Sequence, residues 1–199
     1  LGPLAQQMET LHVARATQFS EYTYEVDANW KLTYDNFQEN YHLRFIHPRS
    51  GGSAFAPQNP FGYPKQFGFH GPHRTQTIWT NPAPAPAPYQ AEAFGRLLPR
   101  AMAEGLLETP HARKYFALFP SFFMLGTPLQ NFVHIVYPVT AGKSRGVIRL
   151  YWVGEDANAG ERFGREAIMA TARDVHCEDV DVIEAGQRGL ASGALSHIH

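Results

Sequence analysis

Apolar side chains recur along the chain at spacings that predict its elements. In residues 19–34, FSEYTYEVDANWKLTY, apolar and polar positions alternate and aromatic residues are frequent, which predicts one or two short strands. In residues 35–46, Phe37, Tyr41 and Phe45 stand four residues apart. That interval predicts a helix whose stripe of three aromatic side chains packs on the core.

The middle of the chain is rich in proline and glycine, which divide it into short pieces. Residues 48–64 hold four prolines and three glycines and predict a long loop. Residues 66–79 have a strand-like composition. The segment NPAPAPAPYQ (81–90) predicts an extended surface loop, because proline disfavours helix for itself and for the residue before it. Residues 91–108 predict a helix in two pieces around Pro99.

The second half of the chain predicts three strands followed by a long helix. The strands are expected at 115–125, 131–139 and 144–154, and the proline-free residues 160–192 predict the helix. Consecutive strands joined by short turns pair antiparallel. The order therefore predicts an α+β fold, with helices on one side of an antiparallel sheet, rather than an α/β fold.

Composition is that of one folded domain covering residues 1–199. The chain is 44% hydrophobic and 18% charged, so it buries enough apolar surface to offset the entropy of ordering. A net charge of −1 provides no basic stripe for nucleic acid, and no apolar run approaches the roughly 18 residues that span a membrane. The start, LGPLAQQ, lacks an initiator Met and a signal pattern. We therefore expect a cytoplasmic fragment, truncated at both ends.

Cysteine and histidine differ sharply in number. The single cysteine, Cys177, excludes an internal disulfide and any all-cysteine metal site within the chain, and we expect a packed or half-buried thiol. Ten histidines are many for this length, and histidine is the commonest metal ligand. Most of them are interpreted as scattered surface residues, so the question is which ones have a spacing that chemistry requires.

The segment NWKLTYDNFQENYHLRFIHP (29–48) has such a spacing. Glu39 and His42 are three residues apart and share a helix face. His42 and His47 would diverge by about 140° on a continuous helix. Pro48 pushes His47 toward extended geometry, so the helix is expected to end at or before His47. The two imidazoles then converge on one metal ion.

A carboxylate as third ligand would complete the set that is typical of non-haem Fe(II) sites that activate dioxygen. The predicted C-terminal helix offers candidates within HCEDVDVIEAGQ (176–187), namely Glu178, Asp179, Asp181 and Glu184. On spacing alone, the HxxxxHP pair is equally compatible with histidines that cap a helix or sit in the core without any metal.

The whole stretch NWKxxxDNFxExYHxxxxHP resembles the mononuclear-iron motif of Rieske-type aromatic-ring-hydroxylating oxygenases, in the catalytic domain of their alpha subunit. The C-terminal EDVDVIEAGQRGL is similar to the second signature of that family, an acidic pair followed by an apolar residue and then Gln. The resemblance is specific at these two ends and only compositional between them. It implies a helix-grip (START/Bet v 1-like) fold, in which a long C-terminal helix packs on a curved antiparallel sheet.

The resemblance also implies roles for individual residues. An acid before the first histidine would link the iron to the Rieske cluster, and an acidic-Asn pair would open the helix, with the Asn close to iron. The implied metal ligands are His42, His47 and Asp179, and the further catalytic residues are Glu39, Asn36 and Asp35. For Asp35 and Asn36, simple helix capping is the alternative.

Helix geometry agrees with Asp179 as the third ligand. Ile183 and Gly186 lie four and seven residues beyond Asp179, on the same face, and this apolar face is expected to pack on the sheet. An acid on an inward face is costly to bury unless it is paired or bound to metal. Glu178 points elsewhere on the helix and is interpreted as a solvated acid whose removal leaves iron bound.

The implied cofactors are mononuclear Fe(II) and a [2Fe–2S] Rieske cluster, which requires two cysteines and two histidines. Because Cys177 is the only cysteine, the cluster is expected on a missing N-terminal domain or on a neighbouring subunit. The implied partners are an apolar small-molecule substrate, dioxygen, a reductase or ferredoxin as electron donor, and further copies in a homo-trimer or other homo-oligomer. Neither nucleic acid nor a membrane is expected as a partner.

The leading functional hypothesis is hydroxylation of an aromatic or other apolar substrate with Fe(II) and dioxygen. Glu39 stands where many ring-hydroxylating members have Asp, and Glu occurs there in relatives that oxidise quaternary ammonium compounds. A quaternary-ammonium mono-oxygenase or demethylase of the same family is therefore an alternative. The other alternative is a non-redox module of the same fold that binds an apolar ligand and uses the histidines only structurally.

Overall fold

One seven-stranded antiparallel sheet organises the chain in this computed structural model, which describes residues 1–48, 50, 54–106, 112–127 and 130–194. The strand order is β1-β7-β6-β5-β4-β3-β2. The strands in chain order are β1 (Ala16–Val26), β2 (Gln66–His70), β3 (His73–Trp79), β4 (Ala112–Leu118), β5 (Phe122–Gly126), β6 (Gln130–Thr140) and β7 (Lys143–Val153).

Strands β2 to β7 each pair with the next, and short connections join all of them except β3 and β4, which are separated by the segment that contains a helix at Pro88–Ala103. Gly71, with a φ of 61°, lies in the turn between β2 and β3, and Ala141 and Gly142 join β6 to β7. Strand β1 comes from far away in sequence and pairs with β7, which places Tyr24 opposite Gly146. The predicted antiparallel sheet is confirmed.

Helices occupy both ends of the chain and the connections between strands. The α-helices are α1 (Pro3–Glu9), α2 (Trp30–Asp35), α3 (Leu43–Ile46), α4 (Pro88–Ala103) and α5 (Ala159–Ala191). None of the helices in the described part of the chain is both long and apolar enough to cross a lipid bilayer.

The two faces of the sheet carry different cores, because successive strand residues point to opposite sides. On the inner face, Ile148 and Leu150 of β7 pack with residues of α5, such as Ile183 and Ile168. On the outer face, α1 and the turn after it cover a smaller apolar cluster. That outer cluster contains Leu4, Leu11, Phe116, Met124 and Val133. An antiparallel sheet with a long helix across its inner face confirms the α+β, helix-grip prediction.

Helix α5 runs without a break over the region predicted at 160–192. Its N-cap is Asn158, whose side chain accepts a hydrogen bond from the backbone N–H of Glu161. The buried positions in the second half of this helix recur three or four residues apart, and they include the polar side chains of His176 and Asp179. Gly186 is exposed, so the expectation that it shares the packed face of Asp179 is wrong.

The predicted helix at 35–46 is wrong in both position and length. Helix α2 lies earlier, in residues predicted as strand, and it begins after Asn29, whose side chain accepts from the backbone N–H of Lys31. Turns follow it before the single turn of α3. The aromatic stripe explains the error: Phe37 packs on the core, but the side chains of Tyr41 and Phe45 are 58% and 66% exposed.

Three further boundaries differ from the expectations. The loop predicted at 81–90 ends at Ala87, because a proline at the first helical position starts α4. Helix α4 continues through Pro99, since Leu97 and Ala101 are buried beside it and packing outweighs the lost backbone hydrogen bond. Residues 107–108, the predicted end of that helix, lie outside the described residues. The single strand expected at 115–125 is two strands, β4 and β5, with a turn at Pro120 between them.

Candidate metal centre

Short local structures position the two histidines of the HxxxxHP segment. His42 is the residue before the first turn of α3, and His47 ends that turn with φ −112° and ψ 48°. Pro48 explains the ending, because the residue before a proline is driven out of the helical region. The prediction that the helix ends at His47 is confirmed. His42 leaves the start of this turn rather than the last turns of a longer helix, which corrects the expectation.

The structure brings both imidazoles to one carboxylate of α5. Nε2 of His47 lies 2.9 Å from Oδ1 of Asp179, and Nε2 of His42 lies 3.5 Å from the same oxygen. Side chains of His47 and Asp179 are 2% and 3% exposed, and that of His42 is 13% exposed. The three ligand atoms lie within 4.8 Å of one another.

The donor set fits a metal ion better than it fits a set of hydrogen bonds. Oδ1 of Asp179 is buried and has no hydrogen bond of acceptable geometry to any described residue, although two imidazole nitrogens lie close to it. Two imidazoles and one carboxylate on one side of an ion form the facial ligand set of non-haem Fe(II) sites. These residues therefore fit the mononuclear iron.

Each of the two imidazoles is oriented from behind by a second carboxylate. Nδ1–H of His42 donates to Oε1 of Glu39, whose other oxygen accepts from the backbone N–H of His42 at 3.2 Å. Nδ1–H of His47 donates to Oε2 of Glu178 at 2.7 Å, and the Ser50 hydroxyl donates to the same oxygen at 2.7 Å. A carboxylate on Nδ1 fixes the tautomer and leaves the lone pair of Nε2 for a metal.

This contact corrects the interpretation of Glu178 as a merely solvated acid. Its side chain is 34% exposed, and it reaches a histidine that precedes it by 131 residues. Only the tertiary structure brings Glu178 and His47 together. The neighbouring Cys177 is exposed, so the expectation of a packed thiol is also wrong.

The charges of the metal-free site are strongly coupled. Burial alone would raise the pKa of Asp179, but the adjacent imidazoles of His42 and His47 outweigh it and lower the pKa to about 2. Burial alone would lower the pKa of His42, but the carboxylates of Asp179 and Glu39 raise it to about 9. The pKa of His47 is raised for the same reason, with Asp179 and Glu178 as the acids. The Asp179 carboxylate and the two imidazoles therefore stabilise one another's charged forms.

The structure separates the remaining predicted residues, Asn36 and Asp35. Asn36 lies beside Asp179 and lowers its pKa, and its buried Nδ2 has no hydrogen-bond acceptor of good geometry among the described residues. Asp35 is exposed, accepts a hydrogen bond from Gln38 at 2.7 Å and lines a surface cavity of about 220 Å³ with Arg74. Asp35 is not one of the grouped ligand atoms. Neither residue caps a helix start, because α2 has already ended at Asp35.

Three buried polar residues near the site were missed by the sequence analysis: Tyr24, His134 and His176. His134 of β6 and Tyr24 of β1 face the same side of the sheet, and the Tyr24 hydroxyl lies 2.6 Å from Nε2 of His134. The His176 ring lies on α5, with its centroid 3.9 Å from that of Tyr24. The spacing of three between His176 and Asp179 was the one available sequence signal, since it puts both on one helix face.

Comparison with known families decides what kind of domain this is. Residues 13–199 match the family described as ring hydroxylating alpha subunit (catalytic domain). The chain belongs to that family. It is a catalytic domain of the ring hydroxylating alpha-subunit family, whose members are oxidoreductases. With one cysteine, these 199 residues cannot form a Rieske cluster. No curated protein sequence matches the chain.

Solved structures with the same fold belong to enzymes that were studied with different small molecules. The quaternary ammonium Rieske monooxygenase CntA, in complex with an inhibitor, superposes with a TM-score of 0.67 at 17% identity, over 95% of this chain and 44% of that chain. NdmA of Pseudomonas putida CBB5 with caffeine gives 0.60 at 17% identity, over 86% and 44%. Dicamba monooxygenase bound to dicamba gives 0.57 at 16% identity, over 92% and 53%. The chain thus spans about half the length of these relatives or less, and the likeness establishes the fold.

Proposed function

We propose that this domain uses Fe(II) and dioxygen to hydroxylate or demethylate an apolar small molecule. The observation that carries the proposal is the convergence of His42, His47 and Asp179, with a carboxylate behind each imidazole. We assign the three as the iron ligands. When bound there, Fe(II) supplies the activation of dioxygen, because three protein ligands leave coordination positions open.

The other residues of the site keep this ligand set in place. Glu39 and Glu178 hold the Nδ1 protons, so both Nε2 atoms point at Asp179 with their lone pairs available. Asn36 contacts the Asp179 carboxylate from the side of α2 and is proposed to limit its rotation. Asp35 lies away from the ligands, and we propose that it helps to form the surface through which electrons enter.

Electrons are proposed to enter through Glu39 from a Rieske [2Fe–2S] cluster on a preceding domain or on a neighbouring subunit. The Glu39 side chain supports this role because it is 28% exposed and hydrogen-bonded to the proposed ligand His42. The structure of a quaternary ammonium Rieske monooxygenase with the same fold is described as revealing insights into inter-subunit electron transfer in that enzyme. For this chain we propose a homo-trimer or related homo-oligomer, with a reductase or ferredoxin as donor. A cytoplasmic location and a single domain over residues 1–199 stay predictions.

The residues on the inner side of the sheet favour an aromatic or other apolar substrate. The Phe37 ring lies 6.0 Å from that of Phe123 and 6.1 Å from that of Phe132, so aromatic rings surround the region next to the ligands. Such rings also attract quaternary ammonium groups. Together with Glu39 in the bridging position, they keep a quaternary-ammonium mono-oxygenase as the second candidate. Oxygen consumption is measured on the enzyme supplied with its Rieske centre, with either naphthalene or L-carnitine as substrate. Consumption with naphthalene favours the aromatic substrate, and consumption with L-carnitine favours the quaternary-ammonium mono-oxygenase.

Metal analysis after anaerobic reconstitution with Fe(II) tests the proposal. About one iron per chain is expected for the natural sequence, and His42→Ala or His47→Ala is expected to lose it, because two ligands hold a divalent ion poorly. The matched control is His70→Ala, since His70 lies on β2 and contacts Thr75 rather than the site. Full iron content in both site variants would show that the ligand assignment is wrong. An iron-free natural chain would instead favour a non-redox binding module.

A further inference from the structure

A buried polar cluster lies between the sheet and α5, among the aromatic side chains of the inner face. We define it as Tyr24, His134 and His176. His134 and His176 are 0% and 1% exposed, and their ring centroids are 6.1 Å apart. Phe37 packs against His134 with a centroid distance of 4.1 Å. The cluster is adjacent to the metal centre, because His176 precedes Asp179 by one helical turn.

The hydrogen bond inside the cluster has a definite direction. Burial raises the pKa of the Tyr24 hydroxyl and lowers the pKa of His134 well below its usual value, so both groups are neutral. No described residue other than His134 accepts from the Tyr24 hydroxyl. The hydroxyl therefore donates to Nε2 of His134. A neutral imidazole that accepts at Nε2 carries its proton on Nδ1.

Three nitrogens of the cluster have no hydrogen-bond partner among the described residues. They are Nδ1 of His134 and both ring nitrogens of His176. Burial lowers the pKa of His176 to about 4, so this ring is neutral and offers one donor and one acceptor. Buried polar atoms without partners are rare, because their lost hydration is not compensated. Several of them in one place, beside a candidate catalytic centre, leave hydrogen-bonding groups available to a bound ligand.

The backbone around the cluster makes room for this arrangement. Gly146 lies opposite Tyr24 in the register of β1 and β7, and a Cβ atom there would approach the Tyr24 ring to 2.2 Å. Only glycine at position 146 therefore allows the ring to lie across β7 and its hydroxyl to reach His134.

We infer that His134 and His176 determine substrate specificity by binding an oxygen acceptor, a carbonyl or carboxylate oxygen, on a ring-bearing substrate. The Nδ1–H of His134 donates to that oxygen, and His176 provides a second contact. Tyr24 is a positioning residue that fixes the His134 tautomer. The inference rests on the proposed function, because it names the substrate class of the same site.

Matched ligands test the inference on the chain loaded with Zn(II), which is diamagnetic and suits NMR. The probes are acetophenone, whose carbonyl oxygen accepts a hydrogen bond, and α-methylstyrene, which has the same shape with a CH₂ group in that place. We expect about tenfold tighter binding of acetophenone, which corresponds to about 1.4 kcal/mol. Benzoate in a third titration distinguishes a carboxylate from a carbonyl as the preferred acceptor.

Histidine ¹⁵N spectra of the same samples report the tautomer directly. We expect His134 to carry its proton on Nδ1, and the Nδ1 signal to shift when acetophenone is added. His134→Phe and Tyr24→Phe are each expected to reduce the acetophenone preference to within about threefold. Tyr24→Phe keeps the ring shape, so it tests the role even where His134→Phe fails to fold. His70→Phe, on β2, is the control and is expected to keep the preference.

Three results would overturn the inference: an Nε2–H tautomer at His134, equal affinity for the two compounds, or no binding of either. These readouts are separate from the test of the proposed function. Loss of the iron assignment, with His42→Ala still holding metal, would leave the tautomer and the ligand preference untouched. Loss of the preference with normal metal binding would remove only the specificity role.

Discussion

The two histidines of the proposed metal centre each have one ring nitrogen held by a carboxylate and the other directed at Asp179. An imidazole therefore stands between each outer acid and the buried carboxylate of Asp179, which lowers the energetic cost of placing several acids close together. Glu39 and Glu178 supply negative charge at the outer edge of the imidazoles, where their side chains are 28% and 34% exposed. The two acids differ in how far they lie from their histidines along the sequence. Glu39 is three residues from His42, whereas Glu178 belongs to α5, far from His47.

At this scale, Glu178→Ala is expected to weaken Fe(II) binding by roughly 10- to 100-fold, since it removes the acceptor that holds Nδ1–H of His47 in place. The sequence alone led to the expectation that iron stays bound in Glu178→Ala, and the structure changes that expectation to weaker binding. Asp181→Ala is the matched control, because Asp181 is an exposed acid on the same helix. Fe(II) dissociation constants from anaerobic titration provide the measurement. Equal constants for the two variants would contradict the role of Glu178.

Glu39→Gln is expected to keep iron but to slow oxygenation severely. The amide oxygen still accepts from Nδ1–H of His42, so the ligand stays in place, whereas the charged link for electron entry is lost. Iron content and turnover are measured on the enzyme supplied with its Rieske centre. Asp35→Asn is the comparison, because Asp35 is an exposed acid outside the ligand group. Normal turnover in Glu39→Gln would exclude it as the entry point.

His176 gives the metal-free protein a defined pH dependence. In the folded chain, the pKa of His176 is about 4, below the ordinary value of 6.5. Between these two pH values, His176 is therefore protonated in the unfolded chain and neutral in the folded chain. Stability from this group is complete above pH 6.5 and is lost as pH falls toward 4. Between pH 7 and pH 5, the natural chain should lose roughly 2 kcal/mol more than His176→Gln. Urea unfolding with chelator measures the difference, and identical losses would mean that His176 titrates normally.

At the scale of elements, α5 connects the metal centre to the rest of the fold. One face of the helix carries Asp179 and Ile183 against the sheet, while its first half packs on α4. Gly164 lies at that helix contact, because a Cβ there would meet the backbone oxygen of Ala93 at 2.7 Å. Gly186, on the same helix, has no atom within 4 Å of the corresponding position.

Gly164 and Gly186 therefore respond in opposite directions to substitution by alanine. Gly164→Ala is expected to destabilise the fold by about 1–2 kcal/mol, because the backbone of α4 has to move. Gly186→Ala is expected to stabilise it by roughly 0.5–1 kcal/mol through better helix propensity. Chemical denaturation of both variants at one pH measures the two values. A stabilising Gly164→Ala would show that α4 and α5 are not in close contact.

At the scale of the whole molecule, the proposed ligands join segments that are 132 residues apart, from His47 to Asp179. An ion bound to both segments binds the folded state and has no comparable site in the unfolded chain. Fe(II) at 100 times its dissociation constant should stabilise the fold by about 2.7 kcal/mol. For a chain of this size, that corresponds to a rise in Tm of roughly 5–10 °C. Anaerobic thermal unfolding with and without Fe(II) tests this, and Asp179→Ala should abolish the rise.

Local sequence determined the features that depend on spacing and neighbours. The absence of proline predicted the long helix at 160–192, and Pro48 predicted that the helix ends at or before His47. Short turns predicted antiparallel pairing of the last strands. The resemblance at the two ends of the chain named His42, His47 and Asp179 before any geometry was known. Each of these signals lies within a short stretch of sequence, so it can be recognised without knowledge of the tertiary structure.

Tertiary structure alone decided the contacts between distant segments. From the sequence, Glu178 was interpreted as a solvated acid. It contacts His47 only because α5 packs across the sheet. Tyr24 and His134 are 110 residues apart in the sequence, and they meet because β7 pairs with β1 on one side and with β6 on the other. The predicted helix at 35–46 was wrong because the four-residue spacing of aromatic side chains is typical of a helix, but only Phe37 packs on the core and Tyr41 is exposed. Pairing and burial across the fold set these outcomes, since their free energies exceed the local preferences of a short segment.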